Sequence, residues 1–593
     1  MTSPRDPRQV GERPLFSNTL DGTNNMPMLT LRELKMIEIM EAITDKPDWE
    51  NKVFDDKITS KWRAEAMDLQ PDEVTENMMD WVIKELQFKA KMYKEAGLVY
   101  VFDADVVKSD VKIPKSLQES LKTAVARLEN VPEDAKDYHP GSDDQVLDLV
   151  HPSLFPLVYG RSRVIRNGCL TIEEGIKQSG RGEVLEWPGW EKQGTRRSNQ
   201  NAWSKKFQWL PCDVSFAPVE QGADSGPVSF GTKDFRCKIR SYINNLHPDD
   251  HHDLYSVLEE IITRTIPLWN MTLSGARAFL PPKRINYSRA TYHLDRENAP
   301  SQMEDEDDDE FWDRENQWEI DNRQVILPEP GEFKPRPISS AYQFVNDCGE
   351  NVDRLKQGDD IDLHKDFKDS GLQVIVKLAN IHLSPEKPNY PGGTWHVEGQ
   401  LNERICASAL YYYDCENITD SRLAFRASLF ENSDAEVGYP QDHHDWLEKV
   451  FGLENHGPMV QELGSVSCKE GRLLTFPNTL QHRVQPFQLK DPTKPGHRKI
   501  VALFLVDPNV RITSTAEVPA QRSDWWRRLI CLDRVLSRLP QELKDQVRED
   551  LGGFPFNMEE AKSLRLELMD ERKEFVLYQD EKMHDYTFSL CEH

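Results

Sequence analysis

The stretch Tyr390-Pro-Gly-Gly-Thr-Trp-His396-Val-Glu398-Gly-Gln400 decides the reading of this chain. A Pro-Gly-Gly turn leads into a strand-like segment. Side chains alternate along a strand, so His396 and Glu398, two residues apart, are expected on one face. On a helix of about 3.6 residues per turn the same spacing would point them about 200° apart. An imidazole and a carboxylate on one face offer two ligands to a metal ion.

A third ligand must come from elsewhere. His482, in Thr475-Phe-Pro-Asn-Thr-Leu-Gln-His482-Arg-Val-Gln-Pro, is the best placed, because it too opens a strand-like run. Two imidazoles and one carboxylate make the facial triad that leaves three adjacent positions open, as non-haem Fe(II) oxygenases require. Arg498 follows in His497-Arg498-Lys-Ile-Val-Ala-Leu-Phe-Leu-Val506. If Lys490 to His497 joins two antiparallel strands, Arg498 falls across from Phe487, about 16 Å along from His482 at about 3.3 Å per residue. A five-carbon diacid reaching from the metal would meet the guanidinium there. An Arg fork grips a carboxylate in bidentate fashion and stays charged at any working pH. Gln400, Thr475 and Tyr413 are further candidates for contact with the co-substrate, with core packing as the competing reading. Trp395 and Val397 are expected to point away from the ligands and pack.

The HxE pair, the distal His and the following Arg resemble the Fe(II)/2-oxoglutarate-dependent oxygenases with a double-stranded β-helix core. The wider text, Asn380-Ile-His-Leu-Ser-Pro-Glu-Lys-Pro-Asn-Tyr-Pro-Gly-Gly-Thr-Trp-His-Val-Glu-Gly399 with Leu474-Thr-Phe-Pro-Asn-Thr-Leu-Gln-His-Arg-Val484, looks like one large fungal family within them, long catalogued only as a domain of unknown function. The motifs lie between Leu372 and Val506, less than a quarter of the chain. The resemblance implies Fe(II) on His396, Glu398 and His482, and the far carboxylate of 2-oxoglutarate on Arg498. Dioxygen would be the oxidant, and a small-molecule substrate would be hydroxylated, desaturated or cyclised. An amino acid such as valine in fungal secondary metabolism is the substrate class it suggests. The chain departs from the commoner HxD by having Glu398. A carboxylate there disfavours a halogenase, which needs that site for halide.

The rest of the sequence frames this site. The chain has 593 residues and a formal charge of −27, from 74 Lys and Arg against 101 Asp and Glu. That charge argues against partners bound through phosphate neutralisation, so neither nucleic acid nor an anionic membrane surface is expected. Nine Cys without a CxxC pair fit a reducing compartment. Met1 to Asn25 lacks the apolar run of a secretory leader, and the longest apolar run, Ile500 to Val506, is too short to span a bilayer. A cytoplasmic or nuclear location is expected. No phosphate loop, dinucleotide fingerprint, nucleophile elbow or HExxH helix occurs.

Amphipathic helices are expected over Thr30–Ala42, Asn77–Ala96 and Lys115–Leu128, then a strand over Lys206–Phe216 and a helix over Leu254–Leu268. The acidic run Glu304–Glu310 reads as a solvated, mobile loop. Strands are expected over Leu372–Leu383, Glu403–Asp414, Leu423–Leu429, Gln461–Ser467, Arg472–Phe476, His482–Leu489 and Arg498–Val506, with a helical insert Asp442–Phe451. Asn557 with Glu560 marks the start of a C-terminal helix. The fold class is α+β: a jelly-roll, cupin-like core wrapped by N- and C-terminal helices. Its divisions are a helical scaffold over 1–200, a mixed region over 201–330, the catalytic core over 331–510 and C-terminal helices over 511–593. Three other functions use the same residues: an oxygenase acting on protein side chains, a cupin-like or zinc enzyme without 2-oxoglutarate, and a scaffold with no catalysis. The clusters His247, His251, His252 and His443, His444 read as solvated.

Overall fold

Residues 8–10, 15–21, 26–69, 73–102, 106–166, 168–189, 202–219, 234–277, 284–334, 344–345, 351–352, 361–430, 437–441, 443–530, 539–540, 542–543 and 554–590 are described by the computed structural model. Thr30 starts the first long helix, α1 (Leu31–Thr44). Its hydroxyl accepts from the Glu33 N–H while the Glu33 carboxylate returns to the Thr30 N–H, a reciprocal cap. Helix α2 (Glu76–Ala96) begins at Thr75 and ends at Gly97 in the left-handed region. Helices α3 (Lys115–Glu129) and α4 (His252–Arg277) follow, then α5 (Asp308–Asn322), α6 (Asp445–Phe451) and α7 (Met558–Asp585). Asn557 caps α7 by accepting from the Glu560 N–H, as its sequence announces.

Twelve strands carry the architecture. They are β1 (Val99–Tyr100), β2 (Val107–Ser109), β3 (Val146–Val150), β4 (Cys212–Pro218), β5 (Phe235–Ile239) and β6 (Leu372–Leu383), followed by β7 (Ile405–Glu416), β8 (Arg422–Ser428), β9 (Val460–Ser467), β10 (Leu473–Pro477), β11 (Gln481–Val484) and β12 (Gly496–Val506). Nine form one antiparallel sheet in the order β1-β2-β10-β7-β12-β6-β4-β5, with β3 also on β6. Three form a second sheet, β9-β8-β11.

The two sheets face each other. Leu410, Tyr412, Phe476, Ala502 and Phe504 of the large sheet share one buried cluster with Leu423, Phe425, Ala427 and Val466 of the small one. Phe425 touches Phe476 across the gap, ring centroids 5.2 Å apart. Helices α1 and α2 pack onto the same cluster through Met36, Met40, Met79 and Val82. The alternate residues of the large sheet, Val374, Val376, Leu378, Tyr411, Tyr413, Val501 and Leu503, point the other way. They pack under α3 and α4. The large sheet is thus buried on both faces, so its strands read as continuous apolar runs.

Three expectations are corrected. The large sheet takes β1 to β5 from before residue 331, so its strands are not confined to 331–510. The acidic run is not a free loop. Asp307 caps α5 by accepting from the Asp309 and Glu310 N–H groups, and Arg314 grips Glu306 with bonds of 2.7 and 2.6 Å. Acidic side chains suit the positive end of a helix dipole, which offsets their mutual repulsion. His482–Leu489 is not one strand: β11 and Phe487–Gln488 belong to different sheets, because Pro486 between them has no N–H to give. Most of Met1–Asn25, and Asp442, lie outside the described residues.

Candidate metal centre

His482 lies on β11 directly opposite Phe425, so its ring shares the inward face of the small sheet. His396 does not sit in a regular strand as expected. It makes one isolated bridge, to His482, in which each residue's N–H donates to the other's carbonyl at 3.1 and 2.9 Å. Two local features bring it there. Gly392, at φ +91°, lets the Pro-Gly-Gly turn press against β11, where a Cβ would meet the Val484 carbonyl oxygen at 2.8 Å. Three residues past His396 the chain turns again at Gly399, φ +69°. Glu398 is fixed between these turns by Asn478. The Asn478 side chain accepts from the Glu398 N–H at 2.9 Å and donates to its carbonyl at 2.9 Å.

The donor atoms converge. Nε2 of His482 lies 3.4 Å and Nε2 of His396 3.8 Å from Oε1 of Glu398, and the two rings are 4.4 Å apart. Nδ1 of His396 bonds the Thr394 carbonyl at 2.8 Å, so Nδ1 carries the proton and the Nε2 lone pair points at the site. Burial is the largest influence on both His396 and Glu398. It pushes the His396 imidazolium down to about 4, with the nearby His482 ring adding to it. Burial raises the Glu398 carboxyl, but the His482 contact and the His396 charge outweigh this and bring it to about 2. At neutral pH His396 is therefore a neutral imidazole and Glu398 a carboxylate, the forms that bind a divalent cation. Ligands about 2.1 Å from an ion and 90–110° apart stand about 3.0–3.4 Å from each other. The two nitrogen–oxygen spacings, 3.4 and 3.8 Å, need only slight closing to hold an ion. Yet a third of the His396 side chain is accessible.

Arg498 is 3% exposed on β12. It pairs with Ile381 of β6 and Cys415 of β7, not with Phe487 as a hairpin would require. It stands on the same face as Ile500, Ala502 and Phe504, so it points into the space between the sheets. The expected contact with Phe487 is made by the guanidinium instead, 5.2 Å above that ring and 5.6 Å from that of Tyr412. It donates to Ser421 Oγ at 2.7 Å, and its Nε has no partner. Among the described residues no carboxylate pairs with it.

The structure does not bring the other three candidates to the triad. Tyr413 and Thr475 face the outer side of the large sheet. The Tyr413 hydroxyl donates to Asn380 at 3.2 Å, and Thr475 shares a 2.8 Å bond with Thr272 of α4. Gln400 lies past the turn at Gly399, its N–H held by the Glu403 carboxylate at 2.7 Å. Trp395 packs between Arg426 and Arg483, and Val397 is buried. Of the competing histidines, His247 is buried against Trp525 rather than solvated.

Two features near the site escaped the sequence reading. Helix α7 runs past the triad: Phe575 packs with Val397 and Leu401, and Arg572 bonds Glu403 at 2.7 Å. Lys377, on β6, shares the face of Ile375 and stands among His396, Glu398, Asp148 and His151. The signal was a lone cation in the apolar run Leu372–Leu383. A second cluster, His139, Asp148 and His151, also brings donor atoms together. There Asp148 is bonded to His139 at 2.8 Å and lies 3.7 Å from Arg565, a guanidinium that opposes a bound cation.

A family model described as Protein of unknown function (DUF4246) matches residues 76–529, and its N-terminal companion matches residues 1–65. The chain belongs to the DUF4246 family. No curated protein matches it. Among solved structures this DUF4246 chain is similar to IDO from Bacillus thuringiensis, with 13% identity over 25% of this chain and 53% of that one, TM-score 0.16. It is similar to a bsmA homolog from Methylobium petroleophilum PM1, with 12% identity over 26% and 48%, TM-score 0.16. It is also similar to the Fe(II)/(alpha)ketoglutarate-dependent dioxygenase TqaL, with 14% identity over 25% and 50%, TM-score 0.15. The chain spans about half the length of these structures, and overlaps this partial say nothing by themselves about chemistry. Among the described residues of this DUF4246 member, no helix is long and apolar enough to cross a membrane.

Proposed function

We propose that this chain is a non-haem Fe(II)/2-oxoglutarate-dependent oxygenase acting on a small molecule. One observation carries the reading. The donor set of His396, Glu398 and His482 and the buried Arg498, a cation without a carboxylate, face one space between two sheets. A buried charge without a partner is costly, so a site that keeps one is built for an anion from outside.

The path of the chain supports a double-stranded β-helix. From β6 onward it alternates between the sheets: β6 in the large sheet, the His396 segment against the small one, β7 large, β8 and β9 small, β10 large, β11 small, β12 large. That path supports a double-sheet, jelly-roll winding. The triad then spans two neighbours of the small sheet, and Arg498 rises from the large sheet opposite.

Bound by the triad, Fe(II) would supply the coupling of dioxygen reduction to the decarboxylation of 2-oxoglutarate and the oxidation of a substrate C–H bond. The chain's own residues do the rest. The Thr394 carbonyl sets the His396 tautomer. Asn478 fixes the main chain from which the Glu398 carboxylate projects. Arg498 holds the far carboxylate of the co-substrate, stacked between Tyr412 and Phe487 so that its fork cannot swing. Helix α7, through Phe575, covers the Val397 side of the ligand segment. The test is a structure grown anaerobically with Mn(II) and 2-oxoglutarate. Metal density on the three ligands with the diacid ending at Arg498 supports the proposal. Metal elsewhere, or an Arg498 without the diacid, refutes it.

A further inference from the structure

Helix α7 stands behind the metal centre, and one arginine joins the two. His482 faces the space between the sheets, so Gln481 beside it faces the back of the small sheet. Arg426 of β8 pairs with Gln481 and shares that outer face. Its Nε donates to Gln481 Oε1 at 2.7 Å. Its guanidinium lies 4.7 Å from the centre of the Trp395 ring, and it donates to Asp580 of α7. Trp395 precedes His396 and Gln481 precedes His482. One side chain therefore touches the neighbour of each ligand histidine. Phe575, five residues before Asp580 on α7, shares a buried cluster with Val397, the residue between His396 and Glu398.

The bridge between His396 and His482 is isolated rather than part of a ladder, so side chains must hold the two segments square. Arg426 does this from behind, with Trp395 of one segment under its planar face and Gln481 of the other on its Nε. The side chain of Arg426 is 8% exposed, and Asp580 meets its charge. Without Asp580 a buried guanidinium would lose its counter-ion, which favours its swinging out to water and releasing Trp395 and Gln481. We propose that Arg426 is a positioning residue for the metal ligands, and that its bond to Asp580 makes docking of α7 and binding of the metal ion favour each other. This rests on the metal-binding part of the oxygenase reading and not on 2-oxoglutarate. Linkage makes the two effects equal: the factor that docking adds to metal affinity is the factor that the metal adds to docking.

The test uses the full chain without oxygen, with Co(II) as the probe. Titration gives the Co(II) affinity and the visible spectrum of the bound ion, and deuterium uptake with and without Co(II) gives the exchange of residues 575–585. Asp580→Asn keeps the shape of an accessible side chain, so it spares the fold. It should weaken Co(II) binding at least about fivefold and cancel the slowing of exchange that Co(II) produces in the wild type. Arg426→Met should weaken Co(II) binding at least about tenfold and alter the spectrum of the bound ion, as for groups that orient metal ligands. Lys206→Met removes another contact of α7, to Glu567, and should change the affinity less than about twofold, as for an exposed ion pair. Unchanged affinity and spectrum in both Asp580→Asn and Arg426→Met, with stability alone reduced, would overturn the inference. So would a Lys206→Met variant that loses as much affinity as Asp580→Asn, which would make α7 a general brace. Failure of the metal centre shows separately, as wild-type Co(II) binding that survives His482→Ala, and it overturns the inference as well. Failure of the 2-oxoglutarate chemistry alone leaves all of these readouts standing.

Discussion

The main chains of His396 and His482 bond each other in both directions, N–H to carbonyl, at 3.1 and 2.9 Å. Ligands 86 residues apart are thereby held in one β-bridge, and the spacing of their rings is set by backbone rather than by side-chain choice.

Glu398 depends on a side chain instead. Asn478 is 1% exposed and satisfies both the N–H and the carbonyl of Glu398. Asn478→Ala leaves two half-buried peptide groups of Glu398 unpaired, at about 1–2 kcal/mol each. The expected result is a fall of about 2–4 kcal/mol in unfolding free energy by urea titration. Metal affinity should fall about 10–100-fold, as for groups that orient a ligand. A loss of stability with unchanged metal affinity would mean that Asn478 serves only the loop.

Arg498→Ala should raise the 2-oxoglutarate KM by at least about 30-fold, the equivalent of about 2 kcal/mol for a lost buried charge contact. Arg498→Lys keeps the charge but not the fork, and should recover only part of the affinity. Iron binding should be unaffected in both. Steady-state kinetics with variable 2-oxoglutarate separates this from a folding defect, because kcat at saturation should fall much less than kcat/KM.

The buried network around Arg472 ties α1 to the sheet. Arg472 bonds Asp110 at 2.8 and 2.8 Å and Asp45 at 2.6 Å, while Lys108 bonds Glu41 at 2.7 Å and Asp45 at 2.8 Å. Burial pushes the Asp110 carboxyl up, but the Arg472 guanidinium outweighs it and holds that carboxyl well below the usual range. The folded protein therefore binds the proton at lower pH than the unfolded chain does. The network's contribution is present at neutral pH and is lost as pH falls below about 4. Arg472→Met should cost about 3–5 kcal/mol at pH 7, since it strands buried carboxylates. In urea titrations the gap between wild type and variant should narrow at acidic pH. A gap independent of pH would assign the loss to packing.

Much of this was legible in the residues. The run Leu372–Leu383 is a strand end to end, and the Asn557–Glu560 cap opens α7. The triad could be named because its spacing is chemical. The faces of Tyr413 and Thr475 could not be read. Tyr411, Tyr412 and Tyr413 are all 1% exposed, so both sides of β7 are apolar and no alternation marks the inner one. The sheet assignment of Arg498 was hidden for a related reason: one short connection can join strands of one sheet or carry the chain across to another, and local sequence does not distinguish them. The role of α7 was invisible because its contacts with Val397 and Glu403 lie about 170 residues away in sequence.

The most direct measurement is succinate release from 2-oxoglutarate by the purified full chain, with Fe(II) and oxygen, in the wild type and in His396→Ala and His482→Ala. Turnover that requires Fe(II), is not supported by Zn(II) and disappears in both variants is the predicted result. Turnover that persists without either His, or an iron-loaded wild type that never consumes 2-oxoglutarate, would contradict the account.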